Sequence, residues 1–229
     1  MILQDYKDMK IDLMQRPESP QSLIGLALAT TMRMAPDKEF KPVSQDMCRF
    51  LIRAEHMSVF EHAVFTFLVG GISRSLLAQV TRQRTATITS GSQHYQDYHD
   101  YPCVIDLAHS NTYQPALDMK NSLSIAAYTY GSLRDAGYAK EEARQVLPNA
   151  SAVNILWTID ARNLFYFLRQ RLCNRNVMEM RIFATKILEI VKNVFPELFA
   201  WAGPQCHEDV CMQGKMQCKE GVWCPVELN

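Results

Sequence analysis

Apolar residues in this chain recur mostly at intervals of three and four, the spacing that lines one face of a helix. Pro20 opens a run rich in Leu, Ala and Thr that predicts a helix over Gln21–Met34, with Ser19 as its N-cap. Between Ser44 and Glu55, Met47, Phe50, Leu51 and Ala54 fall at helical intervals and predict a second. Leu117–Ala136 reads as a long helix ending at Gly137, and Lys140–Val146 as a short one stopped before Pro148. Ala161–Leu172 is another. Val177–Val194 is amphipathic through Ile182, Phe183, Ile187, Leu188 and Val191, and Pro196 ends it.

Strict alternation is rarer. Phe60–Val69 alternates apolar and polar positions and predicts a strand, best defined over His62–Val69. Gly70-Gly71 is expected to turn the chain there, with a short helix over Ser73–Thr81 following. Ala152–Ile159, rich in β-branched residues, predicts a second strand, and Met9–Met14 a weaker one. Tyr95–Thr112 reads as an aromatic, polar loop with one extended piece. Helices outnumber strands and separate them, so the class is α+β rather than a doubly wound sheet. No Gly-x-Gly-x-x-Gly follows any strand, which argues against a Rossmann-type dinucleotide site. Without repeats or a long linker, the expected organisation is one domain over 1–202 and a cysteine-rich tail over 203–229.

Bulk properties narrow the partners. The 24 basic residues balance 24 acidic ones in a chain of 229, so the overall field attracts neither nucleic acid nor an anionic membrane. A nucleotide site must then be a local arginine cluster. No apolar run approaches the roughly 18 residues that span a bilayer. Met1–Asp8 mixes charges into its apolar residues and lacks the apolar core of a signal peptide. Seven cysteines, an odd number without a secretory signal, point to reduced thiols and a cytoplasmic protein.

The densest candidate chemistry is Thr81-Arg82-Gln83-Arg84-Thr85-Ala86-Thr87-Ile88-Thr89-Ser90-Gly91-Ser92-Gln93-His94-Tyr95. Two guanidiniums flanking one residue can grip a polyanion, and the Thr/Ser/Gly run lets backbone N–H groups and hydroxyls approach it. Three other segments stand beside it: Glu55-His56-Met57-Ser58-Val59-Phe60-Glu61-His62; Ala143-Arg144-Gln145-Val146-Leu147-Pro148; and Asp160-Ala161-Arg162-Asn163-Leu164 with Arg171 downstream. In this order and spacing the set resembles the flavin-dependent thymidylate synthases, whose signature is Arg-His-Arg-x-x-Ser-x-x-x-x-Ser-x-Arg-Tyr.

The resemblance implies that family's fold, a mixed or antiparallel central sheet flanked by helices. It also implies transfer of a one-carbon unit from methylenetetrahydrofolate to C5 of a pyrimidine nucleoside monophosphate, dUMP to dTMP or a close variant. FAD is the implied cofactor and NADPH its reductant. Under the same resemblance His56 and Ser58 would lie against the flavin, Arg82, Gln83, Arg84 and Ser90 would hold it, and Asp160, Arg162 and Tyr166 would touch its adenosine side. Gln79, Arg82 and the Ser90, Gly91, Ser92, Gln93, His94 block would line the nucleotide pocket, with Arg144 reaching the nucleotide. Arg171 would stabilise charge on the ring and, with His56, stands as the catalytic candidate. A fixed cation suits that task, because arginine does not lose its charge. A homotetramer with shared sites is implied as well.

Departures cluster in the nucleotide block. Gln83 replaces the signature histidine, Thr87 its serine, Ser90 an acidic or amide residue, His94 an arginine, and Asp160 an asparagine. Losing a phosphate-facing arginine removes a charged hydrogen bond, worth roughly 1.5–3 kcal/mol. Hydroxymethylation, action on dCMP, CMP or UMP, and a non-catalytic flavin- or nucleotide-binding paralogue therefore stay open. His62 alone reads as a structural histidine, and His94 with His99 as a weak metal pair. In the tail, Cys206, Cys211, Cys218 and Cys224 lack Cys-x-x-Cys knuckles, which leaves a structural metal, a disulfide or free thiols open.

Overall fold

The computed structural model describes residues 1–32, 40–107, 114–207, 211, 213–218, 226 and 228. Its strands in chain order are β1 (Ile2–Asp5), β2 (Lys10–Gln15), β3 (Val64–Ser73), β4 (Thr87–Ser90), β5 (Pro102–Ile105) and β6 (Ala152–Asp160). Its α-helices are α1 (Pro20–Met32), α2 (Gln45–Arg53), α3 (Arg74–Val80), α4 (Gln114–Asp135), α5 (Lys140–Ala143), α6 (Ala161–Arg171), α7 (Met178–Val194) and α8 (Pro196–Phe199). A four-stranded sheet runs β2-β3-β6-β4, and β1 pairs with β5 separately. The α+β class holds. The chain divides into two compact units, and β3 and β6 each contribute residues to both.

The first unit comprises Met1–Lys10, Leu68–Gln83 and Ile88–Leu156. Here β1 runs parallel to β5, with Ile2 opposite Pro102 and Asp5 opposite Ile105. Asp5 also accepts the Leu107 N–H at 3.0 Å, which holds the chain leaving β5. Tyr98, Tyr101, Cys103, Leu123 and Tyr130 build a buried aromatic cluster against α4. Ser73 caps α3 through the Leu76 N–H at 2.9 Å. Arg74 N–H donates to the Ser151 carbonyl at 3.1 Å, and Gly71 N–H to the Asn154 side chain at 3.1 Å, so rising numbers in β3 meet falling numbers in β6. The strands are antiparallel.

The second unit comprises Ile11–Phe67, Arg84–Thr87 and Trp157–Asn229. Antiparallel pairing recurs, with Ala161 N–H donating to Ala63 at 2.7 Å and the Thr66 and Thr158 hydroxyls 3.0 Å apart. Alternation sends Phe65 and Phe67 inward from β3, and Trp157 and Ile159 inward from β6. The Trp157 ring sits 5.8 Å from Phe67, 5.0 Å from Phe167 and 5.5 Å from Phe183, stitching the sheet to α6 and α7. At Gly25 of α1 a Cβ would stand 2.1 Å from the Lys41 carbonyl oxygen, so only glycine permits that close approach.

Several sequence expectations are corrected. Gly70-Gly71 does not turn the chain: β3 continues through both to Ser73, with Gly71 at φ 72°. Phe60–His62 belongs to a 3-10 turn over Met57–His62 rather than to the strand. The helix expected over Val177–Val194 does end at Val194, but Pro196 also opens a further short helix, α8, at the position where its missing N–H costs nothing. In α2 the buried face carries Cys48 and Leu51, while Met47 and Phe50 face solvent. β1 and β4 were not anticipated. Residues 33 and 34 of the expected first helix, and 108–112 of the expected loop, lie outside the described residues.

Candidate functional site

The Arg82–Tyr95 block emerges from α3 as an exposed, polar run in the first unit apart from Arg84–Thr87. Arg82, Ser90 and His94 are exposed, while Gln79, Gln83, Gly91, Ser92 and Gln93 are half-buried. Its far end is held from several sides. Gly91 N–H donates to the Asn154 carbonyl at 3.0 Å, and Arg74 Nη1 reaches the Gly91 carbonyl at 3.4 Å. Ser92 turns the chain, accepting Tyr95 and Gln96 N–H at its carbonyl and His94 N–H at its hydroxyl. Lys140 Nζ donates to the Tyr95 carbonyl at 2.9 Å, and Glu141 lies 3.5 Å from His94 Nδ1.

Those last two contacts come from α5, whose next turn carries Arg144, exposed to solvent. The structure thus brings the Ser90–His94 block and the Arg144 element together, as two segments far apart in sequence. Lys140, Glu141 and Arg74, which fix this arrangement, carried no spacing signal. His94 faces a carboxylate where the resemblance placed a phosphate. His99 is separate: Asp97 bonds its Nδ1 at 2.5 Å and Asp135 lies 3.6 Å from its Nε2. The hydrogen bond that the His99 ring donates to Asp97 holds the imidazole pKa above its ordinary value. His94 and His99 therefore answer to different carboxylates rather than to one another.

In the second unit the chain leaves α2 through Glu55, at φ 58° the one non-glycine residue with positive φ among the described residues. His56 N–H donates to Leu51 at 2.9 Å and Glu55 N–H to Ile52 at 3.2 Å, the paired bonds of a Schellman stop. That stop launches the 3-10 turn presenting His56, Ser58, Glu61 and His62 to solvent, while Met57, Val59 and Phe60 enter the core. Ser58, Glu61 and His62 face Thr30 and Thr31 of α1 across a cleft of about 450 Å³ whose apolar wall includes Leu23 and Leu26.

Asp160 caps α6 and starts the segment bearing Arg162, Tyr166 and Arg171. Arg162 is ion-paired with Glu61, whose hydrogen bond raises the guanidinium pKa further. That pair ties the Arg162 element to the turn carrying His56 and Ser58. Tyr166 belongs to a different cavity of about 590 Å³, lined also by Glu55, Arg169, Arg175 and tail residues. The Arg171 guanidinium stands 5.9 Å over the buried Phe167 ring. Arg84 is exposed in this unit. Thr30, Thr31 and Glu61 were missed as wall residues; only Glu61 lay inside a quoted motif.

No helix among the described residues is long and apolar enough to cross a membrane. Cys206, Cys211 and Cys218 are free thiols, and Cys224 lies outside the described residues.

Comparison with known proteins agrees with the layout of motifs. The family model described as thymidylate synthase complementing protein matches residues 12–197. A flavin-dependent thymidylate synthase of Geobacter sulfurreducens is 35% identical over 217 residues, covering 92% of this chain and 94% of its relative. One of Sulfolobus acidocaldarius is 33% identical, covering 88% and 80%. Among solved structures, a UMP/dUMP methylase, PolB from Streptomyces cacaoi, bound with 5-Br dUMP, superposes with a TM-score of 0.76 at 21% identity. It covers 87% of this chain and 96% of that one, and at such identity the likeness speaks for the fold. With the matched span, the shared motifs and the fold in agreement, the chain belongs to the thymidylate synthase complementing protein family, that of the flavin-dependent thymidylate synthases.

Proposed function

We propose that the protein transfers a one-carbon unit to C5 of a pyrimidine nucleoside monophosphate, dUMP in the first instance. The carrying observation is the junction of the Ser90–His94 block with the Arg144 element, fastened by Lys140 and Glu141. It sets the exposed Ser90 and His94 side chains beside the element that carries the permanent cation of Arg144, groups of the kind that a phosphorylated nucleoside needs. Gln79, Arg82 and Arg171 complete the proposed nucleotide contacts.

The residues present fit a flavin. The cleft between α1 and the Ser58 turn joins an apolar wall to hydroxyl and carboxylate groups, matching a ligand with flat apolar rings and polar edges. His56, Ser58, Arg82, Gln83, Arg84, Ser90, Asp160, Arg162 and Tyr166 would hold FAD. Once reduced by NADPH, the flavin would supply the hydride that takes the unit from methylene to methyl. Methylenetetrahydrofolate would donate that unit, C5 exchanging its proton for the new carbon bond. Arg171, packed over Phe167, would meet negative charge as it builds on the ring, a role suited to a cation that cannot deprotonate. We propose a cytoplasmic homotetramer as the assembly, and the exposure of so many candidate binding groups supports completion of each site from neighbouring chains.

A second reading has its own support. His94 beside Glu141 replaces the arginine of the signature, which favours a changed nucleotide such as UMP, dCMP or CMP, or a hydroxymethyl product. The test is mass spectrometry of products after separate incubations with the four monophosphates, methylenetetrahydrofolate and NADPH, alongside a visible spectrum. Yellow protein yielding methylated dUMP is expected. Methylation of another nucleotide alone selects the second reading, and colourless protein without product overturns both.

A further inference from the structure

The nucleotide surface of the first unit rests on buried aromatics that none of the four motifs contains. Tyr98, Tyr101 and Tyr130 belong to one cluster, with the Tyr98 ring centroid 5.4 Å from that of Tyr101 and 6.3 Å from that of Tyr130. Ala143 is buried in the same cluster, and Val146 and Leu147 pack against it. These residues flank Arg144, while Tyr98 follows His94 in the same loop. Both halves of the proposed surface therefore reach one hydrophobic base.

Tyr98 is 3% exposed, and its polar groups bind in two directions. Its N–H donates to the Tyr130 hydroxyl of α4 at 3.3 Å, and its own hydroxyl donates to Gln96 Oε1 at 3.1 Å. Burial holds the phenol pKa above its usual value against the pull of the Arg74 guanidinium, so the hydroxyl keeps its proton and stays a donor. Gln96 in turn covers Gly91: a Cβ there would stand 3.0 Å from Gln96 Oε1 and 3.1 Å from Nε2. Gln96 N–H also donates to the Ser92 carbonyl at 3.0 Å, which closes the turn from Gly91 to Gln96 on itself. A turn closed only on itself can still swing as a unit. Tyr98 ties it to a helix.

We propose that Tyr98 is a positioning residue for nucleotide binding: through Gln96 it holds the Ser90–His94 block in register with the Arg144 element before any ligand arrives. The role rests on that surface being the nucleotide site. Groups ordered in advance bind more tightly, because less ordering is left for the ligand to impose. Tyr98 is buried beneath the block, so it acts on the nucleotide only through Gln96 and the turn.

The test compares wild type, Tyr98→Phe, Gln96→Ala and the double variant as full-length protein. Tyr98→Phe keeps the ring in the cluster and removes only the hydroxyl, and Gln96 is exposed, so water satisfies the amide left behind. Without ligand, exchange of the hydrogen-bonded Gly91, His94, Tyr95 and Gln96 amides should quicken roughly two- to tenfold in Tyr98→Phe, the range of one neutral hydrogen bond. The α4 amides should exchange as in the wild type. The double variant should exchange no faster than Gln96→Ala alone, because Tyr98 acts through Gln96. The calorimetric Kd for dUMP and its KM should rise by a similar factor, with kcat unchanged. Unchanged exchange in Tyr98→Phe, or unchanged affinity, overturns the proposal. So do effects that add in the double variant, or a fall in kcat with KM unaltered. A wild type that binds no 5′-monophosphate overturns the nucleotide reading and the role with it, the exchange data then showing separately whether Tyr98 holds the turn. If Tyr98→Phe fails to fold, Gln96→Ala decides through the same exchange and affinity measurements.

Discussion

Asp160 binds Asn163 twice: one carboxylate oxygen accepts the Asn163 backbone N–H at 2.9 Å, the other its side-chain amide at 2.6 Å. The residue that departs from the signature asparagine is thus a helix N-cap, a position that aspartate and asparagine fill about equally well. Its negative charge also suits a helix N-terminus. Asp160→Ala should cost about 0.5–2 kcal/mol of stability, and Asp160→Asn only a fraction of that. Denaturant melts check this, and an alanine variant melting with the wild type would remove the cap from the account.

Glu55 should be improvable. It holds the left-handed position of the stop after α2, where an L side chain costs roughly 1–2 kcal/mol and glycine almost nothing. Glu55→Gly should raise the melting midpoint, unless the loss of its side chain from the adjoining cavity cancels the gain. A lowered midpoint would show that Glu55 does more there than endure its backbone.

Trp157 anchors the second unit between Phe67, Phe167 and Phe183, with no exposed surface. Trp157→Ala should lose about 3–5 kcal/mol, because close-packed aromatics refill such a cavity poorly. Circular dichroism melts would read this directly. A loss under about 1 kcal/mol would contradict the packing described.

The Asp97–His99 pair makes stability depend on pH in a defined direction. Burial disfavours the Asp97 carboxylate, yet hydrogen bonds and charge from His99, aided by Lys140, hold its pKa below the usual value. That contribution is present above the ordinary carboxylate range and fades as pH falls through the lowered value. His99, raised chiefly by its bond to Asp97, contributes below the ordinary histidine range and fades as pH climbs through its raised value. The pair should therefore support the first unit best between roughly pH 4 and 6.5. His99→Gln should flatten the alkaline side of the melting-temperature profile, and an unchanged profile would remove the pair as its source.

Arg144 and His94 probe the nucleotide surface. Arg144→Ala should weaken binding of a 5′-monophosphate by roughly tenfold to a hundredfold, from ~1.5–3 kcal/mol for a charged hydrogen bond. His94→Arg should tighten it by a comparable factor, more so with Glu141→Gln removing the competing carboxylate. Calorimetric titration with dUMP checks both. Tighter binding of UMP or dCMP alone would point to a surface rebuilt for another nucleotide.

Sequence periodicity by itself determined the long helices, β3 and β6, and the α+β class, because burying one face of an element imposes a spacing that local chemistry can display. The four motifs likewise nominate Arg82–His94, Arg144, His56 and Arg162 as candidate binding residues from sequence alone. Tertiary structure decided what depends on partners distant in the chain. Gly70-Gly71 looks like a turn, yet β3 passes through it because Asn154 of β6 takes the Gly71 N–H. β1 is four residues long and was found only through its parallel partner β5, over ninety positions away. Met47, Phe50 and Leu51 all have helical spacing, but the packing surface took Leu51 with Cys48 and left Met47 and Phe50 exposed. Glu141 beside His94, Glu61 on Arg162, and Cys173 lining one cavity with Cys206 and Cys211 follow the same logic. Spacing reports which face of an element is buried, whereas the identity of the group across a contact is fixed only when the chain closes on itself.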